Sequence, residues 1–254
     1  MIAAVITLLP AIAGAQTVDH SAFDELLKKH VVKGMVDYDA FAQSGAFKKY
    51  LESLGAVDPA RLSEPERLAY WINVYNAYTI ALVNRHEERA SIRNIGEGEG
   101  LIRPRSPWKE PIVKAGGRTY TLDELESDVI RKQFHEPRVH FALVCAAVSC
   151  PPLRSEAYTG EKLEPQLESQ ARLFLLDAAR GSSVDVKNGV VHASRIFEWY
   201  KDDFGGSDDA VGRFIARYHS ESPEKQLLTS GRFKMEFLEY DWTLNSRFLA
   251  RVKG

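Results

Sequence analysis

The sequence predicts an α+β fold: one mostly helical domain with a small mixed or antiparallel sheet and a buried central helix. Three observations point there. Helical spacing of apolar residues dominates the N-terminal half. The run "LAYWINVYNAYTIALV" is apolar almost all round, as a helix enclosed by its own domain must be. Strand signals are short, scattered among helices, and turned at Gly116-Gly117 and Asn188-Gly189. Their irregular order argues against a barrel or a doubly wound sheet. With 254 residues, 44% of them apolar, the chain has material for a substantial core.

The elements follow in order. Residues 1–15, "MIAAVITLLPAIAGA", join an uncharged apolar run to Ala13-Gly14-Ala15, the small-residue pattern of a signal-peptidase site, although no Lys or Arg opens it. An export signal over 1–15 and a single globular domain over 16–254 are expected, in a periplasmic or secreted setting that permits disulfides. "FDELLKKHV" predicts a short amphipathic helix, "KGMVDY" a turn or short strand, and "DYDAFAQSGAFKKYLESL" a second helix. Ser63 with Glu66 has the spacing of a capping box and Pro65 suits a first turn, so the central helix starts there. "IGEGEGLIRPRSPWKEP" is a long surface loop of the kind that often carries function. "IVKAGGRTYT" reads as a hairpin, and "TLDELESDVIRKQF" as a helix with a capping box at Thr121 and Glu124. "RVHFALV" is apolar on both faces and reads as an internal strand. A helix with Pro165 in its first turn, a hairpin at Asn188-Gly189, two short helices ("IFEWYKDDF" and "DAVGRFIARYH") and a last strand "KMEFLEYDWTLN" complete the chain.

Charge narrows the partners. Charged residues make up 27% with a net charge of -2, which provides no basic field for nucleic acid or, once the signal is removed, for a membrane. A small-molecule or peptide ligand is open to the chain, with no cofactor expected, and whether it has a protein partner is left undetermined by the sequence.

Several polar residues fall on inward faces. Leu68, Trp71, Ile72, Tyr75 and Leu82 form the core stripe of the central helix, and Asn73 and Asn76 interrupt that surface on a shared face. Buried amides need partners, so these either fix neighbouring backbone or present hydrogen bonds to a substrate. Glu126 falls within the stripe Leu122, Leu125, Val129 and Ile130, where a carboxylate meets a cation or serves as a general acid or base. His140 opens the expected strand and Cys145 closes it, roughly 16 Å away at ~3.3 Å per residue and on the opposite face. A thiol–imidazole pair then requires a bulge, a return of the Cys150 loop, or a histidine from elsewhere such as His192. For Cys145 and Cys150 the spacing leaves open a disulfide, two packed thiols or a nucleophile; without a second ligand pair, no metal site is expected. Phe197, Trp199, Tyr200 and Phe204 are core, or an aromatic wall that with Arg103, Arg105, Trp108 and Lys109 would line an acidic-ligand site. The other histidines, His20, His30, His86, His135 and His219, sit beside charges on apparent surfaces.

Taken together, "YWINVYNAYTI", "SPW", "TLDELE", "VHFALVCAAVSCPPLRSEAYTGEKLEPQLESQARLFL", "IFEWYKDDF" and "LEYDWTLN" resemble the family called domain of unknown function 547, in the form found in exported bacterial proteins. The resemblance runs from about Phe23 to Asn245 and departs at Ser127, where many relatives carry histidine. It implies a single helical α+β domain whose shared polar positions are Asn73, Asn76, Glu126, His140, Cys145, Ser149 and Cys150. Plant relatives joined to a glutaredoxin-like module imply thiol chemistry, and others joined to a coiled coil imply an adaptor. The expected function is a thiol-dependent hydrolase or transferase acting on a peptide or glutathione-like substrate. In it Cys150 or Cys145 attacks, His140 shuttles the proton and Glu126 orients the imidazole. Asn73, Asn76, Trp71, Ser149 and Trp199 would contact the substrate. A binding or scaffold module stapled by a disulfide, and a thiol oxidoreductase cycling Cys145 with Cys150, are the alternatives.

Overall fold

Local side-chain chemistry sets the N-terminal boundaries. The computed structural model describes residues 16–96 and 106–248, so the expected signal and the arginines 103 and 105 lie outside the described residues. α1 (Ser21–His30) leads into a hairpin of β1 (Val31–Val32) and β2 (Met35–Val36). Gly34 turns that hairpin at φ +80° directly against Pro152, where any side chain would collide. The single helix expected over 37–54 is two, α2 (Tyr38–Gln43) and α3 (Gly45–Leu54). Ser44 breaks it by turning extended and accepting the Phe47 amide at 3.1 Å as the cap of α3.

α4 (Glu64–Arg85) is the buried central helix, with every residue from Leu68 to Ile80 inaccessible. It starts after Ser63 as expected, but the capping box there does not form. Glu66 is buried and instead accepts the remote amides of Val18 at 2.9 Å and Gly160 at 2.8 Å. Two otherwise unpaired backbone donors outweigh one local cap.

β3 (Val113–Ala115) and β4 (Arg118–Tyr120) form the expected hairpin. The complete Thr121/Glu124 capping box then opens a helix built from α5 (Leu122–Glu124), a π-helical stretch Leu125–Arg131 and α6 (Lys132–Phe134). The widened π turn carries Glu126, and such turns recur at functional sites. The strand expected over 138–144 is absent: α7 (Val139–Ala142) is a single helical turn followed by irregular chain. A short run buried on every side has no periodicity to tell strand from helix. Val139 and Ala142 pack into the core around α4, while Phe141 belongs to a second core with Phe174, Phe197 and Phe214.

α8 (Leu163–Leu175) is followed by β5 (Ser182–Asp185) and β6 (Val190–Ala193), an antiparallel pair. Next come α9 (Ile196–Trp199), the 3₁₀ turn Lys201–Phe204, α10 (Asp208–Ala216) and α11 (Pro223–Ser230). α11 has no counterpart among the expected elements, since only Leu228 of it is buried and its apolar stripe is weak. β7 (Lys234–Phe237) pairs parallel to β6, completing a mixed three-stranded sheet. The domain is thus a mostly helical α+β fold. Among the described residues no helix is long and apolar enough to cross a membrane.

Candidate functional site

α4 positions the site from beneath. Asn76 donates from Nδ2 to the Ala142 carbonyl and accepts the Val144 amide, both at 2.9 Å, which ties the chain between α7 and Cys145 to the central helix. Asn73 does the same for Tyr158, donating to its carbonyl at 2.7 Å and accepting its amide at 2.9 Å. Both amides are therefore occupied by backbone, the first of the two roles open to them.

Cys145 and Cys150 form a disulfide with their Cα atoms 6.1 Å apart, and no free cysteine remains. The loop between them turns through Ala146 in the left-handed region at φ +65°. It is pinned to the C-terminal segment, with the Val148 amide on the Thr243 carbonyl at 2.8 Å and the Ser149 amide on the Asp241 carbonyl at 3.2 Å. That pairing delivers Tyr240 to the disulfide, its hydroxyl 3.2 Å from Cys145 Sγ and 3.3 Å from Cys150 Sγ. The Cys145 amide also donates to Cys150 Sγ at 3.1 Å. Cys145 is partly accessible and Cys150 buried. In this oxidised state neither sulfur is the thiol nucleophile expected from the sequence.

The disulfide forms part of the wall of a cavity of about 280 Å³, whose lining includes Glu126, His140, Trp108, Trp199, Tyr240 and Trp242. The volume lies just below the ~300–1,000 Å³ of small-molecule sites. Trp199 stacks on Trp242 with centroids 5.8 Å apart and meets Tyr240 at 4.8 Å, making a continuous aromatic wall. Residues of both apolar cores, Leu143 and Ile196 among them, close its floor.

His140 is buried, and its partner is Asp203, not Glu126. Its Nε2 lies 2.7 Å from Asp203 Oδ2, and its ring stacks on Tyr200 at 4.1 Å. Arg131 holds the other side of the carboxylate, with Nε donating to Oδ2 at 2.6 Å and Nη2 to Oδ1 at 3.1 Å. The His140 hydrogen bond first, and Arg131 second, hold the Asp203 carboxyl well below the usual carboxylate range. Glu126 accepts the Tyr75 hydroxyl at 3.1 Å and makes no ion pair among the described residues. Burial, followed by the charge of Glu126, pushes the Tyr75, Tyr200 and Tyr240 hydroxyls above the usual phenol range, so all three remain protonated donors.

The cleft thus brings together Glu126, His140, Cys145, Cys150 and Trp199 of the expected residues. Asn73, Asn76, Trp71 and Ser149 lie outside its lining. Trp71 packs in the core against Tyr70 and Tyr120, and Ser149 Oγ accepts the Asp241 amide at 2.8 Å. His192 sits on β6 facing Glu236 at 3.6 Å and is not in the lining that holds the cysteines. Of the segment expected to line an acidic-ligand site, Trp108 is present in the lining, Lys109 is not, and the arginines lie outside the described residues. His20 corrects another expectation. It is buried rather than on the surface, with Nδ1 2.7 Å from the Tyr50 hydroxyl.

Sequence reasoning did not single out Asp203, Tyr240 or Trp242. The acidic pair within the aromatic "YKDDF" was a usable hint for Asp203. For Tyr240 nothing local announces a return across about ninety positions to the cysteine loop.

Residues 59–175 match the family model described as "Protein of unknown function, DUF547". That span contains Glu126, His140 and both cysteines, whereas Asp203, Tyr240 and Trp242 come from the chain beyond it. No curated protein and no solved structure matches the chain.

Proposed function

Starting from a chain that belongs to the DUF547 family through residues 59–175, we propose that it is a thiol–disulfide oxidoreductase. Its Cys145–Cys150 pair exchanges with a small or peptidyl thiol held in the aromatic cleft. One observation carries this reading: the disulfide is itself part of the wall of a ligand-sized cavity, with the Tyr240 hydroxyl beside both sulfurs. A purely structural staple has no need of such a cavity. The hydrolase or transferase alternative requires the pair reduced, whereas Cys145 and Cys150 are joined in a disulfide and no free cysteine remains.

A substrate thiolate attacks Cys145 Sγ, the more accessible sulfur. A bond forms between the substrate sulfur and Cys145 while the Cys145–Cys150 bond breaks, and its electron pair leaves on Cys150 Sγ. The leaving thiolate meets the Cys145 amide at 3.1 Å and the Tyr240 hydroxyl at 3.3 Å, two donors that stabilise negative charge. His140 has Nε2 tied to Asp203, which leaves Nδ1 to take the proton of the incoming thiol. A second substrate thiolate attacks the substrate sulfur of the mixed disulfide and releases the substrate disulfide and a Cys145 thiolate. Two electrons pass from two thiols to the protein pair, and the two thiol protons end on Cys145 and Cys150. The apolar segment 1–15 and the disulfide together support an extracytoplasmic, oxidising setting for this chemistry.

Trapping tests the assignment. Cys150→Ser treated with the neutral 2-hydroxyethyl disulfide should accumulate a mixed disulfide on Cys145, read by intact mass and peptide mapping. Cys145→Ser should form little adduct on the buried Cys150. Equal labelling of both variants, or of neither, overturns the assignment.

A further inference from the structure

We infer that the cleft recognises an organic cation, so that its thiol substrates carry an amino or alkylammonium group. The reacting sulfur rests on the exchange reading above, but the charge preference does not. Two carboxylates, Asp123 and Glu126, line the cavity, and neither makes an ion pair among the described residues. No Lys or Arg lines it among the described residues. The nearby guanidinium of Arg131 is bound by two hydrogen bonds to Asp203.

Carboxylates without an ion pair among the described residues, beside the rings of Trp108, Trp199, Tyr240 and Trp242, are the chemistry that holds alkylammonium groups. The rings attract a cation through their electron-rich faces and the carboxylates add charge at short range. Trp242 already accepts one cation, with the Arg93 guanidinium 5.4 Å from its ring centroid. The same lining repels anionic thiols, which moves the substrate away from the glutathione-like class expected from the sequence. The about 280 Å³ of space fits a small substrate with its charged end among the rings and its sulfur at Cys145.

Three of the four tryptophans line the cleft, so intrinsic fluorescence reports its occupancy. The oxidised full chain is titrated with choline and with its neutral isostere 3,3-dimethylbutanol. Saturable quenching by choline, at least about tenfold weaker for the alcohol, is expected. Choline affinity should fall about tenfold, the equivalent of ~1.4 kcal/mol, in Glu126→Gln. Asp123→Asn, on the exposed first turn of its helix, should show a loss in the same direction and serves as the second variant if the first perturbs folding. Equal responses to choline and the alcohol, or unchanged choline affinity in both variants, overturn the inference.

A second arm compares the rates at which cysteamine and 3-mercaptopropionate reduce the protein disulfide, each normalised to its rate with a free small disulfide. Cysteamine should lead by about tenfold or more. Selective choline binding without any exchange refutes the oxidoreductase reading and supports the cation site. Exchange with no preference for charge refutes the cation site alone.

Discussion

Replacing Asn76 by alanine probes how the central helix holds the site. The side chain is 3% exposed and closes two hydrogen bonds, to the Ala142 carbonyl and from the Val144 amide. Alanine leaves both backbone groups buried and unpaired. Each such group costs about 1–3 kcal/mol, so Asn76→Ala is expected to lose about 2–6 kcal/mol. For a chain of this size that corresponds to a Tm lower by roughly 5–20 °C. Guanidinium denaturation and thermal melts of the oxidised protein measure it. Asn84→Ala is the comparator: its Nδ2 donates to the Tyr38 carbonyl at 2.9 Å and its Oδ1 accepts from Arg89 Nη2 at 3.2 Å, in a partly exposed site where water can substitute. It should lose less than about 1 kcal/mol. An Asn76→Ala variant within about 0.5 kcal/mol of the parent, or no worse than Asn84→Ala, would refute the reasoning that this amide anchors the cysteine segment.

Three further outcomes are expected. Burial lowers the pKa of His20 to about 4, so the unfolded chain binds more protons between that value and ~6.5. The stability involved is therefore complete above about pH 6.5 and lost as pH falls toward 4, roughly 3 kcal/mol in all; urea midpoints should follow this slope in the parent and flatten in His20→Gln. Asp203→Asn removes the carboxylate that Arg131 and His140 meet. At neutral pH it should cost about 1–3 kcal/mol, discounted for partial exposure; because the Asp203 carboxyl is held low, the gap between parent and variant should close as pH falls below about 4. Tyr240→Phe removes a donor to the leaving sulfur and should slow reduction of the pair about tenfold in stopped-flow, with little change in Tm.

Legibility of the fold followed locality. The central helix could be read because its apolar character is continuous, and the helix after β4 because Thr121 and Glu124 bond only to each other's backbone. Ser63 and Glu66 have the same spacing, yet Glu66 is drawn away by amides from distant segments that no local rule foresees. α7 failed for a related reason. Its residues serve two cores at once, and burial on every side erases the period that separates helix from strand. Within the site, Glu126, His140, Cys145 and Cys150 were legible as polar or reactive groups on inward surfaces. Their partners were not, because Asp203 and Tyr240 arrive through tertiary packing across some sixty and ninety positions. Asn73 and Asn76 were correctly placed inward, but inward placement cannot distinguish an amide offered to a ligand from one bonded to backbone.

The reduction potential of the Cys145–Cys150 pair tests the central claim most directly. The purified protein is equilibrated with thiol–disulfide buffers of graded potential, quenched in acid and alkylated, and the oxidised fraction is read by intact mass. An accessible Cys145 and two donors waiting for the Cys150 thiolate favour reduction, and the account predicts a midpoint above about -250 mV, within reach of ordinary thiol couples. A midpoint below about -300 mV, where structural disulfides lie, would contradict it and leave the pair a staple beneath a binding cleft.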